Sequence, residues 1–254
     1  MNSPATHQLR INLDAITARM NAARARRGGG PVTLLPITKD QSGKMVAALL
    51  KLQVWSIGEN RVQDARRKYS VIEDALGPDW KLTVRHLVGH LQTNKAKDAV
   101  ELFEWVMSID SLKVAEELQK EAAAANKTLN ITLQVKYGKE RTKKGMTAEE
   151  CRDQFEAYAG FANLKLRGLM IIPPLGLRPE ETRAVFRQAK TLYESSRLKA
   201  SRLHLTWDTL SMGMSADYDI AIEEGATQVR IGQLLFHSVP EDVEEPKIHL
   251  DILD

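Results

Sequence analysis

A lone cysteine, Cys151, leaves the chain without an internal disulfide or a multi-cysteine metal site. Excess charge of one sign is also scarce: 36 Lys and Arg stand against 33 Asp and Glu, a formal net charge of +3 over 254 residues. That balance offers no electrostatic footprint for a polyanion, so no nucleic-acid partner is expected. Two local basic clusters, Arg24-Ala25-Arg26-Arg27 and Arg66-Arg67-Lys68, read as solvated helix faces. No apolar run is long enough to span a membrane, and Met1 to Arg10 has no apolar centre of the kind a secretory signal needs. The expectation is a soluble, cytoplasmic protein with no membrane partner. No linker rich in Pro, Gly or Ser and no low-complexity segment divides the chain, so residues 1–254 read as a single domain.

What is present is an apolar fraction of 43%, enough for a sizeable core, and a regular alternation of elements. Gln8 to Arg26 carries Leu9, Ile11, Leu13, Ile16 and Met20 at roughly helical spacing and runs into Gly28-Gly29-Gly30. Strand signals follow at 32–38, 54–58, 82–88, 105–109, 130–135, 166–172, 203–210 and 227–231. Between them lie helical stretches over 42–52, from the charged segment after Asn60 to 75, and over 94–102, 111–126, 148–159, 179–198 and 216–224. Asp110 is placed to cap the fourth of these, and Pro179 fits the first turn of the sixth. Eight strands alternating with helices in about 250 residues predict a closed (β/α)8 barrel, with a doubly wound open sheet as the competing architecture. No long helix follows the eighth strand, which leaves a gap in the outer ring that the N-terminal helix is suited to cover.

In such a barrel, function gathers where strands end and helices begin. Lys39 closes the first strand, where an amine partly withdrawn from water becomes nucleophilic near neutral pH. Ser211-Met212-Gly213-Met214-Ser215 is a Gly/Ser loop after the seventh strand, suited to anion binding through backbone N–H groups and hydroxyls. Gly232 ends the eighth strand, where a small residue admits the same anion. A lysine on strand one facing a phosphate cradle on strands seven and eight is what pyridoxal phosphate requires: an amine for a Schiff base and donors for a dianion. Arg230 then stands beside the cradle, able to donate to the pyridine nitrogen and keep it unprotonated.

Motifs along the chain agree: Thr38-Lys39, Gly58-Glu59-Asn60-Arg61-Val62-Gln63, His86 to Lys95, Ser108-Ile109-Asp110-Ser111, Lys144-Gly145-Met146, Leu166 to Pro173, Leu210 to Ser215 and Val229-Arg230-Ile231-Gly232. Together, from about residue 8 to 237, the chain resembles the pyridoxal-phosphate homeostasis protein family, relatives of the alanine racemase barrel. The resemblance implies a barrel with an extra N-terminal helix, carrying pyridoxal 5'-phosphate as a Schiff base on Lys39. It implies phosphate contacts from Ser211, Met212, Ser215 and Gly232, a ring-nitrogen contact from Arg230, and Asn60 near the cofactor. It also implies a role in buffering or delivering the cofactor to apo-enzymes that require it, without turnover, by a monomer or weak dimer. The chain departs from the usual pattern at Thr38, at Asp40-Gln41-Ser42 and at Val135-Lys136-Tyr137.

The competing function is a pyridoxal-phosphate-dependent amino-acid racemase. Racemisation needs two bases on opposite faces of the α-carbon. Lys39 would be one; the related racemases take the other from an additional β-domain, which this sequence is expected to lack. Tyr137 and Tyr218 are the available substitutes, and both read as packing or surface residues. His86 and His90 straddle the end of the third strand without a carboxylate at ligand spacing, so no metal is expected. Cys151 reads as an inert helix residue.

Overall fold

The computed structural model describes residues 3–138 and 144–240. Eight parallel strands run in the order β1-β8-β7-β6-β5-β4-β3-β2. They are β1 (Thr33–Pro36), β2 (Ser56–Glu59), β3 (Val84–Leu87), β4 (Trp105–Ile109), β5 (Leu129–Lys136), β6 (Leu164–Ile172), β7 (Thr209–Ser211) and β8 (Gln228–Ile231). The first and last strands of that order meet through one bridge, Ile37 to Gly58, with the Thr38 N–H donating to the Gly58 carbonyl at 2.9 Å. The barrel is closed, and the bridge that closes it lies two residues before Lys39.

Strand parity sorts the side chains. Leu35 and Ile37 join Val88, Met107 and Met170 in a small cluster inside the barrel. Val229, Ile231 and Ile57 point the other way, into the large cluster between barrel and helices. Parity therefore turns Arg230 inward, and directs Lys39 to the same side as Leu35 and Ile37.

The helices are α1 (Pro4–Arg26), α2 (Gly43–Leu50), α3 (Val62–Leu76), α4 (Ala96–Leu102), α5 (Leu112–Ala124), α6 (Ala148–Asp153), α7 (Phe155–Ala159), α8 (Pro179–Arg202) and α9 (Tyr218–Glu223). The Ser3 side chain accepts from the Thr6 N–H to start α1, and Pro4 occupies the first turn. Its buried residues Ala5, Leu9, Ile16, Met20 and Ala23 form one stripe. That stripe packs against α9 and α2, and Asn12 donates to the carbonyls of Leu235 and His237 beyond β8. The helix thus occupies the place in the ring that would follow β8.

The structure departs from the sequence expectations in three places. The strand expected at 203–210 is reduced to Thr209–Ser211, because α8 runs on to Arg202 and the next residues fold back onto it. Trp207 stacks on Tyr193 at 5.3 Å, its indole N–H donating to the Tyr193 carbonyl while the Tyr193 hydroxyl donates to its own. The helix expected over 148–159 breaks at Gln154 into α6 and α7. Asp110 does not cap α5; the N-cap is Ser111, and the Asp110 carboxylate meets His90 Nδ1 at 3.0 Å instead.

His86 on β3 is buried and stacked on Trp105, and burial pushes its imidazole down to about 4. A depressed histidine pKa means that the unfolded chain takes up a proton before the folded one. Stability from this group is whole above about pH 6.5 and falls as the pH drops toward 4. The expected loss is about 2–3 kcal/mol. Urea unfolding of the wild type and His86→Phe at pH 7 and pH 4.5 should show the phenylalanine variant with the shallower decline; parallel declines would remove His86 as the cause.

Candidate cofactor-binding site

A cavity of about 360 Å3 opens at the C-terminal mouth of the barrel. Its lining includes Lys39, Asn60, Ser215, Arg230 and Gly232 from the residues singled out in the sequence, together with Ile37, Val88, Ile172, Met214, Ala216 and Gln233. The strand ends of β1, β2, β3, β6 and β8 and the loop after β7 therefore converge on one space. Its volume suits a small molecule. A second cleft of about 410 Å3, between Gly30, Thr227 and Glu224, opens where β1 and β8 begin, the face of such barrels that serves stability.

Arg230 is the most tightly held of these residues. Its Nη1 donates to the Ser211 carbonyl at 2.8 Å and to Ser211 Oγ at 2.9 Å, and its Nη2 donates to the Ile171 carbonyl at 2.8 Å. Burial pushes the guanidinium down to about 10, with Asp217 opposing that shift, so it stays cationic at neutral pH. A guanidinium has five N–H donors and no acceptor. Three are spent on protein oxygens, and donors remain for a ligand atom in the cavity.

The Ser211–Ser215 segment divides into two roles. Ser211 is wholly buried and orients Arg230 rather than lining the cavity. Met212 is wholly buried in the outer cluster, and its N–H is spent on the Gln228 carbonyl. Gly213 has φ +92°, and a Cβ there would fall 2.5 Å from the Ala221 Cβ, so the turn requires glycine. Past it, no acceptor among the described residues takes the N–H of Ser215 or Ala216, nor that of Gly232 across the gap. The Ser215 hydroxyl accepts from the Leu234 N–H and keeps its own proton to donate. Gly232 is pressed against β1: an added Cβ would stand 2.8 Å from the Ile37 carbonyl oxygen. The sequence placed these amides at a helix start, but α9 begins three residues after Ser215, and they belong to the turn before it.

Lys39 lines the cavity opposite this cradle but is exposed, not withdrawn from water as expected. Asn60 is exposed beside it. Lys136 lies outside the cavity, in a cleft with Lys113, Lys144 and His90. Neither Tyr137 nor Tyr218 reaches the cavity lining; both hydroxyls are buried without a partner among the described residues, and burial pushes Tyr137 up to about 12. The sequence reading missed the amide of Ala216 and the role of Ser211, since both depend on which way a turn faces.

The residues fit pyridoxal phosphate: three amides and a hydroxyl for a dianion, a donor-only guanidinium for a ring nitrogen, and an amine across the space. A closed β/α barrel with these parts at its mouth is of the alanine racemase N-terminal type, and the model of that domain family matches residues 11–240. The pyridoxal phosphate homeostasis proteins of Aquifex aeolicus and Pseudomonas aeruginosa are each 37% identical to the chain, over 213 and 228 residues. Those matches cover 84% and 89% of this chain and 90% and 93% of theirs. The chain belongs to the pyridoxal phosphate homeostasis protein family. PipY of Synechococcus elongatus, solved without PLP, superposes with a TM-score of 0.79 at 34% identity, covering 89% of this chain and 98% of its own. The same protein with PLP bound superposes at 0.73, covering 86% and 99%. Alanine racemase of Clostridium difficile, 16% identical with a TM-score of 0.67, shares the fold alone.

Proposed function

We infer that this protein takes part in pyridoxal phosphate homeostasis by holding the cofactor at the barrel mouth and releasing it, without turning over a substrate. The observation that carries this reading is the convergence of spare donors on one cavity from two sides. Ser215, Ala216 and Gly232 supply them on the anion side, and Arg230 supplies them beneath. The cofactor contributes an aldehyde, which condenses with an amine as one water leaves; Lys39 supplies the amine. Asn60 stands beside Lys39 at the same mouth. Ser211 serves at one remove, by aiming Arg230.

Arg230 also bears on the absence of turnover. It stays cationic despite its burial, with Asp217 favouring the charge, and a guanidinium has donors only, so a ring nitrogen facing it remains an acceptor. A neutral ring draws electrons from a substrate less strongly than one paired with a carboxylate. The racemase alternative gains no second base from the two tyrosines considered for it, because neither Tyr137 nor Tyr218 lines the cavity.

Among the described residues, no helix is long and apolar enough to cross a membrane. The proposal places the protein in the cytoplasm, as a single-domain monomer or weak dimer, with apo-enzymes that require pyridoxal phosphate as its recipients. The test is incubation with pyridoxal phosphate, borohydride reduction and peptide mass mapping, followed by amino-acid racemase assays. A phosphopyridoxyl group on Lys39 with no racemisation is the expected result. Racemisation at enzymatic rates would move the protein to the other class, and no attachment at all would leave the cradle without a cofactor role.

A further inference from the structure

The basic cluster Arg66-Arg67-Lys68 is not a uniform solvated face. The side chains of Arg66 and Arg67 are 46% and 78% exposed, whereas that of Lys68 is 8% exposed and points from α3 toward the barrel. Its Nζ donates to Glu59 Oε1 at 2.7 Å and to the carbonyl oxygen of Thr38 at 2.6 Å. The Thr38 hydroxyl donates to the same Glu59 oxygen at 2.5 Å. Thr38 and Glu59 are wholly buried. The carbonyl that Lys68 grips belongs to the peptide joining Thr38 to Lys39.

Two features separate this triad from ordinary packing. Both donors to the Glu59 carboxylate converge on Oε1, while Oε2 is buried without a partner among the described residues. A buried ion pair with an orphaned oxygen is a poor stabiliser, and apolar side chains would fill the same space at least as well. The triad also sits at the seam that closes the barrel, where a single bridge, Ile37 to Gly58, joins β1 to β2. Without it the end of β1 would be held on that side, among the described residues, by little more than that bridge, whose backbone bond runs from the Thr38 N–H to the Gly58 carbonyl.

We propose that Lys68 is a positioning residue for Lys39: with Glu59 it clamps the Thr38–Lys39 peptide at the β1/β2 seam and so presents the Lys39 amine to the cavity. The proposal rests on the reading that Lys39 forms the covalent bond to the cofactor aldehyde. Lys68 itself touches no ligand, and Thr38, on the opposite strand face from Lys39, is the link between them.

The test compares the wild type, Lys68→Arg and the double variant Glu59→Gln/Lys68→Met, which removes both charges together and leaves neither buried alone. Each is assayed for pyridoxyl trapping at Lys39 over time, for binding of pyridoxine 5'-phosphate, which has no aldehyde, and for thermal unfolding. The double variant should fold, bind pyridoxine phosphate within about twofold of the wild type and trap at Lys39 about tenfold more slowly, as expected for a displaced reacting group. Lys68→Arg should recover most of the rate, since a guanidinium still donates to both oxygens. Trapping by the double variant at the wild-type rate would overturn the proposal, and so would its failure to fold, which would make the pair structural first. Absence of trapping at Lys39 in the wild type would instead overturn the covalent reading, and this proposal with it.

Discussion

Lys39→Ala should abolish borohydride-stable attachment of pyridoxal phosphate while leaving the barrel folded. Lys39 is exposed at the end of β1 and makes no hydrogen bond or ion pair with another described residue. Removing such a side chain changes stability by no more than about 0.5 kcal/mol. In a chain of this size that moves the melting temperature by roughly 2 °C or less. Non-covalent retention through Ser215, Ala216, Gly232 and Arg230 should persist, so the variant still binds but releases the cofactor on dialysis. Peptide mapping after reduction reads the first effect and differential scanning calorimetry the second. A pyridoxyl group on Lys136 or Lys144 in the variant would show that the amine is not specified by position. A large drop in melting temperature would make Lys39 structural.

Arg230→Met has the larger expected effect on stability. The guanidinium is the donor to the Ser211 and Ile171 carbonyls deep in the barrel. Each buried carbonyl left without a donor costs about 1–3 kcal/mol, so the pair should cost about 2–6 kcal/mol in urea unfolding at pH 7. Arg230→Lys keeps one donor group and should lose roughly half as much. Arg230→Glu would set a carboxylate against both carbonyls and is expected to be the worst tolerated of the three. In the methionine variant that retains cofactor, the near-visible absorbance should also shift, because the ring nitrogen loses its donor. A cost below about 1 kcal/mol would show that water replaces the guanidinium at those carbonyls, and an unchanged spectrum would separate Arg230 from the ring.

The two tyrosines available as a second base both have buried hydroxyls and lie outside the cavity. Their elevated pKa values come first from burial, as packing residues would show, and neither stands across the cavity from Lys39. The Val135-Lys136-Tyr137 departure from the family pattern therefore leaves the cavity lining untouched.

Local chemistry was enough to place much of this protein. Alternation of apolar strands with helical stretches is a short-range property, and it announced the barrel. Period-two parity along β1 sets Lys39 on the side of Leu35 and Ile37, and along β8 it turns Arg230 away from Val229 and Ile231. Only the tertiary structure decided how those positions are used. Trp207 stacking on Tyr193 shortened β7, and the N–H of Met212 went to Gln228 across the sheet, leaving later amides to face the cavity. Lys68 sits one step along α3 from the stripe Val62, Ala65, Tyr69 and Ile72, so its spacing hinted at burial, but its charged neighbours argued for solvent. What buried it was Glu59, nine residues earlier in the chain and brought beneath it by the strand-to-helix turn. Parity and helical period are written in neighbouring residues, whereas the partner that a donor finds depends on which strands close the barrel beside it.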